Sequence, residues 1–298
     1  MVMTYDAMRP SQDELTTLES RLAAYGAAAV GSETSLNAVF QTHLSSGGSR
    51  TRALLALSAG KRLGLPDTVR FPIATAVELL HQASLIHDDI QDQDTLRRGQ
   101  HAVWQFAGTS AAICLGDDLI AAAFEELALI PAPYNAHLAR LIVMLSRGVS
   151  VMAAGQTLDC QWTQETPTSI EAYEQIVRHK SGPLLGLPVA MTLAVSGGTD
   201  HEVTQILAAA SSIGVAYQLA DDLLDRDEDH EERLNGYWVI ARHAEPGQDP
   251  ETLLRQRFDW HLDQARQIAS KLPEVCVLAF EALIAALHAK YPSLQQVA

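Results

Sequence analysis

Apolar positions recur along most of the chain at spacings of three and four, the repeat of one helix face, and strict alternation with hairpin dipeptides is almost absent. The stretch SQDELTTLESRLAAYG opens with Ser11 and Glu14 at capping-box spacing and closes on Gly26. RTRALLALSAGKRLGLP stops at a glycine and a proline, and FPIATAVELLHQASLIHDD carries Pro72 near its expected first turn, where a missing N–H is harmless. TSAAICLGDDLIAAAFEELALIP and YNAHLARLIVMLSRGVSVMAAGQTLDC are apolar nearly all round, a pattern expected of centrally buried helices. SIEAYEQIVRHK, GPLLGLPVAMTLAVSGG, TDHEVTQILAAASSIGVAYQLADDLLD, PETLLRQRFDWHLDQARQIASKLP and EVCVLAFEALIAALHAKYP complete the set. No low-complexity linker divides the chain, and residues 226–250 form the longest irregular candidate. The expectation is one all-α domain of about ten or more helices over residues 1–298.

Composition narrows the class. The chain has 298 residues and a net charge of −15, which argues against nucleic acid and anionic membranes as general partners. Its three cysteines, Cys114, Cys160 and Cys276, are too few and too widely spaced for a disulfide framework or a zinc site. No signal-peptide pattern opens it, and no uncharged apolar run reaches the ~18 residues of a membrane span. A cytoplasmic protein without a transmembrane segment is expected.

Against this background one stretch stands out. Asp88, Asp89, Asp92 and Asp94 crowd the end of an apolar helix, and Arg97 and Arg98 follow at once. The pattern returns: LIHDDIQD at residues 85–92 is echoed by QLADDLLD at 218–225. Residues four apart share a helix face, so Asp88 projects with Asp92, and Asp221 with Asp225. Like charges at that spacing, at the negative end of the helix dipole, oppose the helix. Local rules broken twice in the same way point to function. Divalent cations would relieve the repulsion, and Mg²⁺ in particular binds a few carboxylates while bridging to substrate phosphates. Two such clusters facing each other across a bundle core would hold a diphosphate as a leaving group.

With both motifs in place, the chain resembles the trans-isoprenyl (polyprenyl) diphosphate synthases from about residue 45 to 225. DDIQDQDTLRRG matches that family's first aspartate-rich motif and YQLADDLLD its second; GTSAAICLGDDLI, GQTLDC and YEQIVRHKSGPLL fit between them in order. The resemblance implies an isoprenoid-synthase-type all-α bundle, usually a homodimer, that joins an allylic diphosphate to isopentenyl diphosphate. It implies Mg²⁺, three ions to a site, on Asp88, Asp89 and Asp92 and on Asp221, Asp222 and Asp225. Arg97, Lys180 and Ser181 match positions around the allylic diphosphate, and Gln218 lies beside the second cluster. Arg52, His81 and Arg98 match contacts to isopentenyl diphosphate. Small residues at Ala83 and Ser84, before the first cluster, imply a product of about twenty carbons or longer.

Two departures accompany the resemblance. The family's Gly-Gly-Lys-Arg reads GGSR here, so Ser49 stands where a lysine would grip the second diphosphate. The basic loop after the second cluster is replaced by RDEDHEERLNGYWVIARH, with Arg233 as a partial substitute. An unusual acceptor is the variant these departures allow. A class I terpene cyclase would normally carry an Asn/Ser/Glu triad instead of DDLLD. An HD-type phosphohydrolase, suggested by His87-Asp88, leaves the second cluster unexplained. A non-catalytic synthase subunit would be expected to lose one cluster.

Overall fold

The computed structural model describes residues 10–25, 36–163, 169–227 and 233–294. Among them the regular structure is helical, apart from one short hairpin. The helices group into two compact units.

The first unit comprises Arg9–Leu145 with Met191–Gly197. It holds α1 (Gln12–Ala23), α2 (Leu36–Ser45), α3 (Thr51–Arg62), α4 (Asp67–Gln91), α5 (Val103–Ala107) and α6 (Thr109–Ala128). The capping box at α1 forms as its sequence predicts, with Ser11 and Glu14 exchanging backbone hydrogen bonds. α4 is the central element: α3, α6 and α1 pack on it, and its residues from Val69 to Ala83, His81 apart, are buried. It starts at Asp67, so Pro72 lies inside the helix rather than in its first turn. The proline removes only the single hydrogen bond that its N–H would have made. After α4 the chain turns back through β1 (Leu96–Arg97) and β2 (Gln100–His101), an antiparallel pair in which Arg97 faces Gln100. The intervening Arg98 and Gly99 both have positive φ, 52° and 77°, as a tight primed hairpin turn demands.

The second unit contains Ser146–Ala190 and Gly198–Ala298. α7 (Leu138–Cys160) belongs to it from Ser146 on and α8 (Ile170–Val195) up to Ala190; α9 (Asp200–Leu224), α10 (Gly236–His243), α11 (Pro250–Ala269) and α12 (Glu274–Lys290) belong wholly to it. α10, α11 and α12 all pack on α9. SIEAYEQIVRHK and GPLLGLPVAMTLAV, which read as two segments, form the single helix α8 with Pro183 and Pro188 inside it. Gly182 and Gly186 explain its tight course: a Cβ on Gly182 would meet Ser211 at 2.4 Å, and one on Gly186 would meet Leu207 at 2.8 Å. Residues 226–250, read as irregular, contain α10, whose first turn is capped by the Asn235 side chain.

α7 overturns an expectation. Its apolar composition predicts central burial, yet only 22% of the apolar stretch in Tyr134–Cys160 is buried, against 61% in Asp200–Leu224. Both helices are long and apolar enough to cross a membrane by length and composition. Arg140 and Arg147 interrupt the first. Ile142, Val143, Val151 and Leu158 face outward from α7, so its sequence encodes an apolar surface rather than a core.

Candidate active site

The first acidic cluster closes α4. Asp92 caps the helix, its N–H bonded to the Asp88 carbonyl at 2.8 Å, so the two carboxylates lie on one half-exposed face. Asp89 points the other way and is fully buried. Its Oδ1 accepts from Arg97 Nε at 2.8 Å and from Arg97 Nη2. Burial raises the Asp89 pKa, with the Arg97 guanidinium opposing it. Its Oδ2 is buried without a hydrogen-bond partner. Buried polar atoms are almost always satisfied, so this one marks a place for a cation or donor.

Around the start of α3 the same unit gathers positive charge. Arg52 Nη1 lies 3.1 Å from His81 Nε2. Desolvation pushes the His81 pKa well down, helped by the charges of Arg52 and Arg98, so the ring is neutral. Arginine can only donate, so Nε2 accepts and the ring proton sits on Nδ1, which has no partner. Arg98, strained at φ 52°, donates to the Gly47 carbonyl. A Cβ on residue 48 would stand 2.7 Å from its Nη1, so glycine there leaves the guanidinium in this position without a shift. Ser49 Oγ pairs with Thr51 Oγ1 at 2.8 Å.

Sequence reasoning passed over the support behind these groups. Buried Arg50, also at positive φ, forks onto Glu19 at 2.8 and 3.3 Å and lies 3.7 Å from Glu78. Glu78 in turn accepts from Gln82 at 2.7 Å, and Gln82 meets His43 at 3.0 Å. Burial lowers the His43 pKa to about 4, so it too is neutral. The adjacent Arg in GGSR was the available signal for Arg50.

The second unit repeats the construction of the first cluster. Asp225 caps α9, its N–H bonded to the Asp221 carbonyl at 3.0 Å. Asp222 is buried; its Oδ2 accepts from Tyr173 Oη and from the Gly236 N–H, both at 2.6 Å. Gln218 Nε2 donates to its Oδ1 at 2.8 Å, and Asn235 Nδ2 to its backbone carbonyl at 2.9 Å. Asp222 thereby ties α9, α8 and the start of α10 together. Asp221 Oδ1 accepts from Lys290 Nζ at 3.0 Å and from Tyr291 Oη. No local pattern connects Lys290 with Asp221, which explains why it went unread.

Lys180 lies mid-helix on α8, its Nζ 2.6 Å from Asp159 Oδ2. Gly155 permits this: a Cβ there would come within 2.4 Å of the Lys180 backbone nitrogen. Ser181 follows, half-buried against Gly214. Thus Ser49, Arg52, His81, Asp88, Asp89, Asp92, Arg97 and Arg98 belong to the first unit, and Lys180, Ser181, Gln218, Asp221, Asp222 and Asp225 to the second. His87 stacks over Gly116 with its Nε2 3.4 Å from the Ile113 carbonyl, away from any paired-ligand role with Asp88. Among the described residues no three His, Cys, Asp or Glu side chains converge as a complete metal cage. Mg²⁺ does not need one: it uses one or two carboxylates, keeps waters, and completes its shell with substrate phosphates. Outward pairs of hard oxygens with an open Asp89 Oδ2 fit that mode.

A family model described as polyprenyl synthetase matches residues 33–235. Over 191 residues the chain is 36% identical to geranylgeranyl pyrophosphate synthase 7, chloroplastic, of Arabidopsis thaliana, covering 62% of this chain and 55% of that protein. It is 37% identical over 189 residues to farnesyl diphosphate synthase of Geobacillus stearothermophilus, covering 61% and 63%. The match thus spans between half and two-thirds of these relatives' length. In fold it is similar to a decaprenyl diphosphate synthase from Rhodobacter capsulatus, with TM-score 0.81 at 20% identity over 96% of this chain and 99% of that one. A geranyltransferase from Helicobacter pylori gives TM-score 0.74 at 26% identity, covering 93% and 96%.

Proposed function

We infer what the protein does from one premise: the chain belongs to the polyprenyl synthetase family. It transfers prenyl groups, extending an allylic diphosphate with isopentenyl diphosphate. The observation that carries this reading is the double construction of the acidic clusters. In each, a buried aspartate (Asp89 or Asp222) is anchored by protein donors, and two carboxylates four residues apart, Asp88 with Asp92 and Asp221 with Asp225, close the helix at partly exposed positions.

Asp88 and Asp92, with Asp89 Oδ2, and Asp221 and Asp225, steadied by Asp222, would hold Mg²⁺, three ions to a site. When bound, Mg²⁺ neutralises the diphosphate and makes it a better leaving group. Arg97, pinned by Asp89, and Lys180, steered by Asp159, present fixed positive charge to the allylic diphosphate. Gln218 holds the Asp222 carboxylate, and Ser181 adds a hydroxyl beside Lys180. Arg52 and Arg98 fork onto the second diphosphate, and His81 offers it the Nδ1 proton. The allylic C–O bond breaks and leaves a carbocation. The isopentenyl double bond supplies the electron pair of the new C–C bond. The proton then lost from the adduct passes to the departed diphosphate.

Ala83 is small and buried, and the Ser84 hydroxyl folds back onto the His81 carbonyl at 2.9 Å. Small side chains at both positions support a product of about twenty carbons or longer. The outward apolar residues of α7, with Ile113 and Leu129 on or beside α6, suit burial by a second copy, which supports a homodimer.

The test is incubation with Mg²⁺, labelled isopentenyl diphosphate and allylic primers of increasing length, followed by product sizing. Elongation of at least one primer supports the reading; no elongation of any rejects it. One observation favours a second reading. Ser49 is paired with Thr51 and adds no charge, which suits an acceptor less anionic than a diphosphate. Ser49→Lys should lower the KM for isopentenyl diphosphate if Ser49 lines that subsite; an unchanged KM rejects that placement of Ser49.

A further inference from the structure

Asp221, the first carboxylate of the second cluster, already has a cation. Lys290, the last residue of α12, places its Nζ 3.0 Å from Asp221 Oδ1 and 2.6 Å from Tyr217 Oη. The same ammonium sits 4.4 Å from the Tyr217 ring centroid and 4.7 Å from that of Tyr291. The two rings meet edge to face, 6.0 Å apart, and the Tyr291 hydroxyl donates to the same Asp221 oxygen. Tyr217 lies one turn before Asp221 on α9, so the aromatic box belongs to the cluster's own helix. An aromatic box of this kind attracts an ammonium and sets its position.

The box is asymmetric in a way that matters. Tyr291 is buried, neutral and fixed, whereas the Lys290 side chain is half exposed on a flexible stem. A neutral hydroxyl can stay on a carboxylate that gains a metal ion. An ammonium within hydrogen-bond distance of the same oxygen is repelled by it.

We propose that Lys290 is the built-in counter-ion of the second cluster: it neutralises Asp221 in the metal-free enzyme and leaves when a divalent ion binds. This rests on the reading that Asp221 is a metal ligand. Metal loading is then coupled to the end of α12, and by linkage each cation weakens the other's contact by the same factor. The arrangement also keeps the repelling Asp221–Asp225 pair tolerable before substrate and metal arrive.

The experiment uses Mn²⁺ as a spin probe of metal affinity in the full chain without substrate. Lys290→Met should bind Mn²⁺ about tenfold tighter at the second cluster, the equivalent of one charge-assisted hydrogen bond removed. Lys290→Arg should stay close to wild type. In the wild-type protein, reductive methylation of Lys290, read by mass spectrometry, should speed up when Mg²⁺ saturates the site. Unchanged or weaker Mn²⁺ binding in Lys290→Met, or unchanged Lys290 labelling, overturns the proposal; the labelling arm stands even if the variant does not fold. Asp221→Asn separates the two layers. If it leaves Mn²⁺ binding intact, the metal reading fails and the counter-ion falls with it. If it weakens binding while Lys290→Met does not tighten it, the counter-ion alone fails.

Discussion

Tyr173→Phe probes the anchoring of the second cluster with the least disturbance. Tyr173 is fully buried and its hydroxyl donates to Asp222 Oδ2 at 2.6 Å. Phenylalanine fills the same space, so no cavity opens and the loss is one hydrogen bond to an ionised group. Such bonds contribute about 1.5–3 kcal/mol. The Gly236 N–H and Gln218 remain on the carboxylate at 2.6 and 2.8 Å, which puts the expected loss near the low end, about 2 kcal/mol. Burial and the Asp222 charge hold the Tyr173 pKa well above its ordinary value, so it stays a donor at any working pH. With an unfolding entropy of about 2.1 cal/mol/K per residue, that loss lowers Tm by roughly 3 °C for a chain of this length. The assay is urea unfolding, with the midpoint read at constant slope, alongside steady-state turnover. kcat should fall because the end of α9 loosens. A stability within about 0.5 kcal/mol of wild type, the usual scatter of neutral substitutions, would refute the anchoring role.

Gly48→Ala should displace Arg98, whose Nη1 would lie 2.7 Å from the new Cβ. The expected outcome in steady-state kinetics is about a tenfold rise in KM for isopentenyl diphosphate, with the allylic KM unchanged. His43 is neutral and buried with its pKa lowered to about 4 from 6.5, so the unfolded chain takes up the proton first and stability falls as pH drops below 6.5. At pH 5 the loss is about 2 kcal/mol, and urea midpoints should show His43→Gln relieving that acid slope. Val143→Glu with Val151→Glu places charge on the outward face of α7 and should convert a dimer to monomer in sedimentation velocity.

How far the sequence reaches depends on the kind of interaction. Helix starts with local chemistry were legible: Ser11 and Glu14 build the expected cap because all its partners lie within one turn. The acidic pairs were legible for the same reason, since Asp88 with Asp92 and Asp221 with Asp225 are i,i+4 neighbours. α8 was read as two segments because glycine and proline punctuate it, yet Gly182 and Gly186 serve close packing against Ser211 and Leu207 rather than a break. α7 was expected in the core because composition records that a face is apolar, and not what covers it. The division of labour inside each cluster was hidden too. Asp88 and Asp89 are chemically identical in the sequence; only the fold turns Asp89 inward onto Arg97 and leaves Asp88 on the half-exposed face. Lys290 lies some seventy positions from Asp221 and belongs to no motif, so nothing but the packing of α12 on α9 could bring it into view.

The central claim is that both acidic clusters serve one chain-lengthening reaction. The most direct measurement counts inorganic diphosphate released against isoprene units added, in the wild type and in Asp88→Asn and Asp225→Asn. One diphosphate per new carbon–carbon bond in the wild type, with both variants losing elongation and release together by about a hundredfold or more, is the result expected. Diphosphate release without a new bond, or full elongation surviving the loss of either carboxylate, would contradict it.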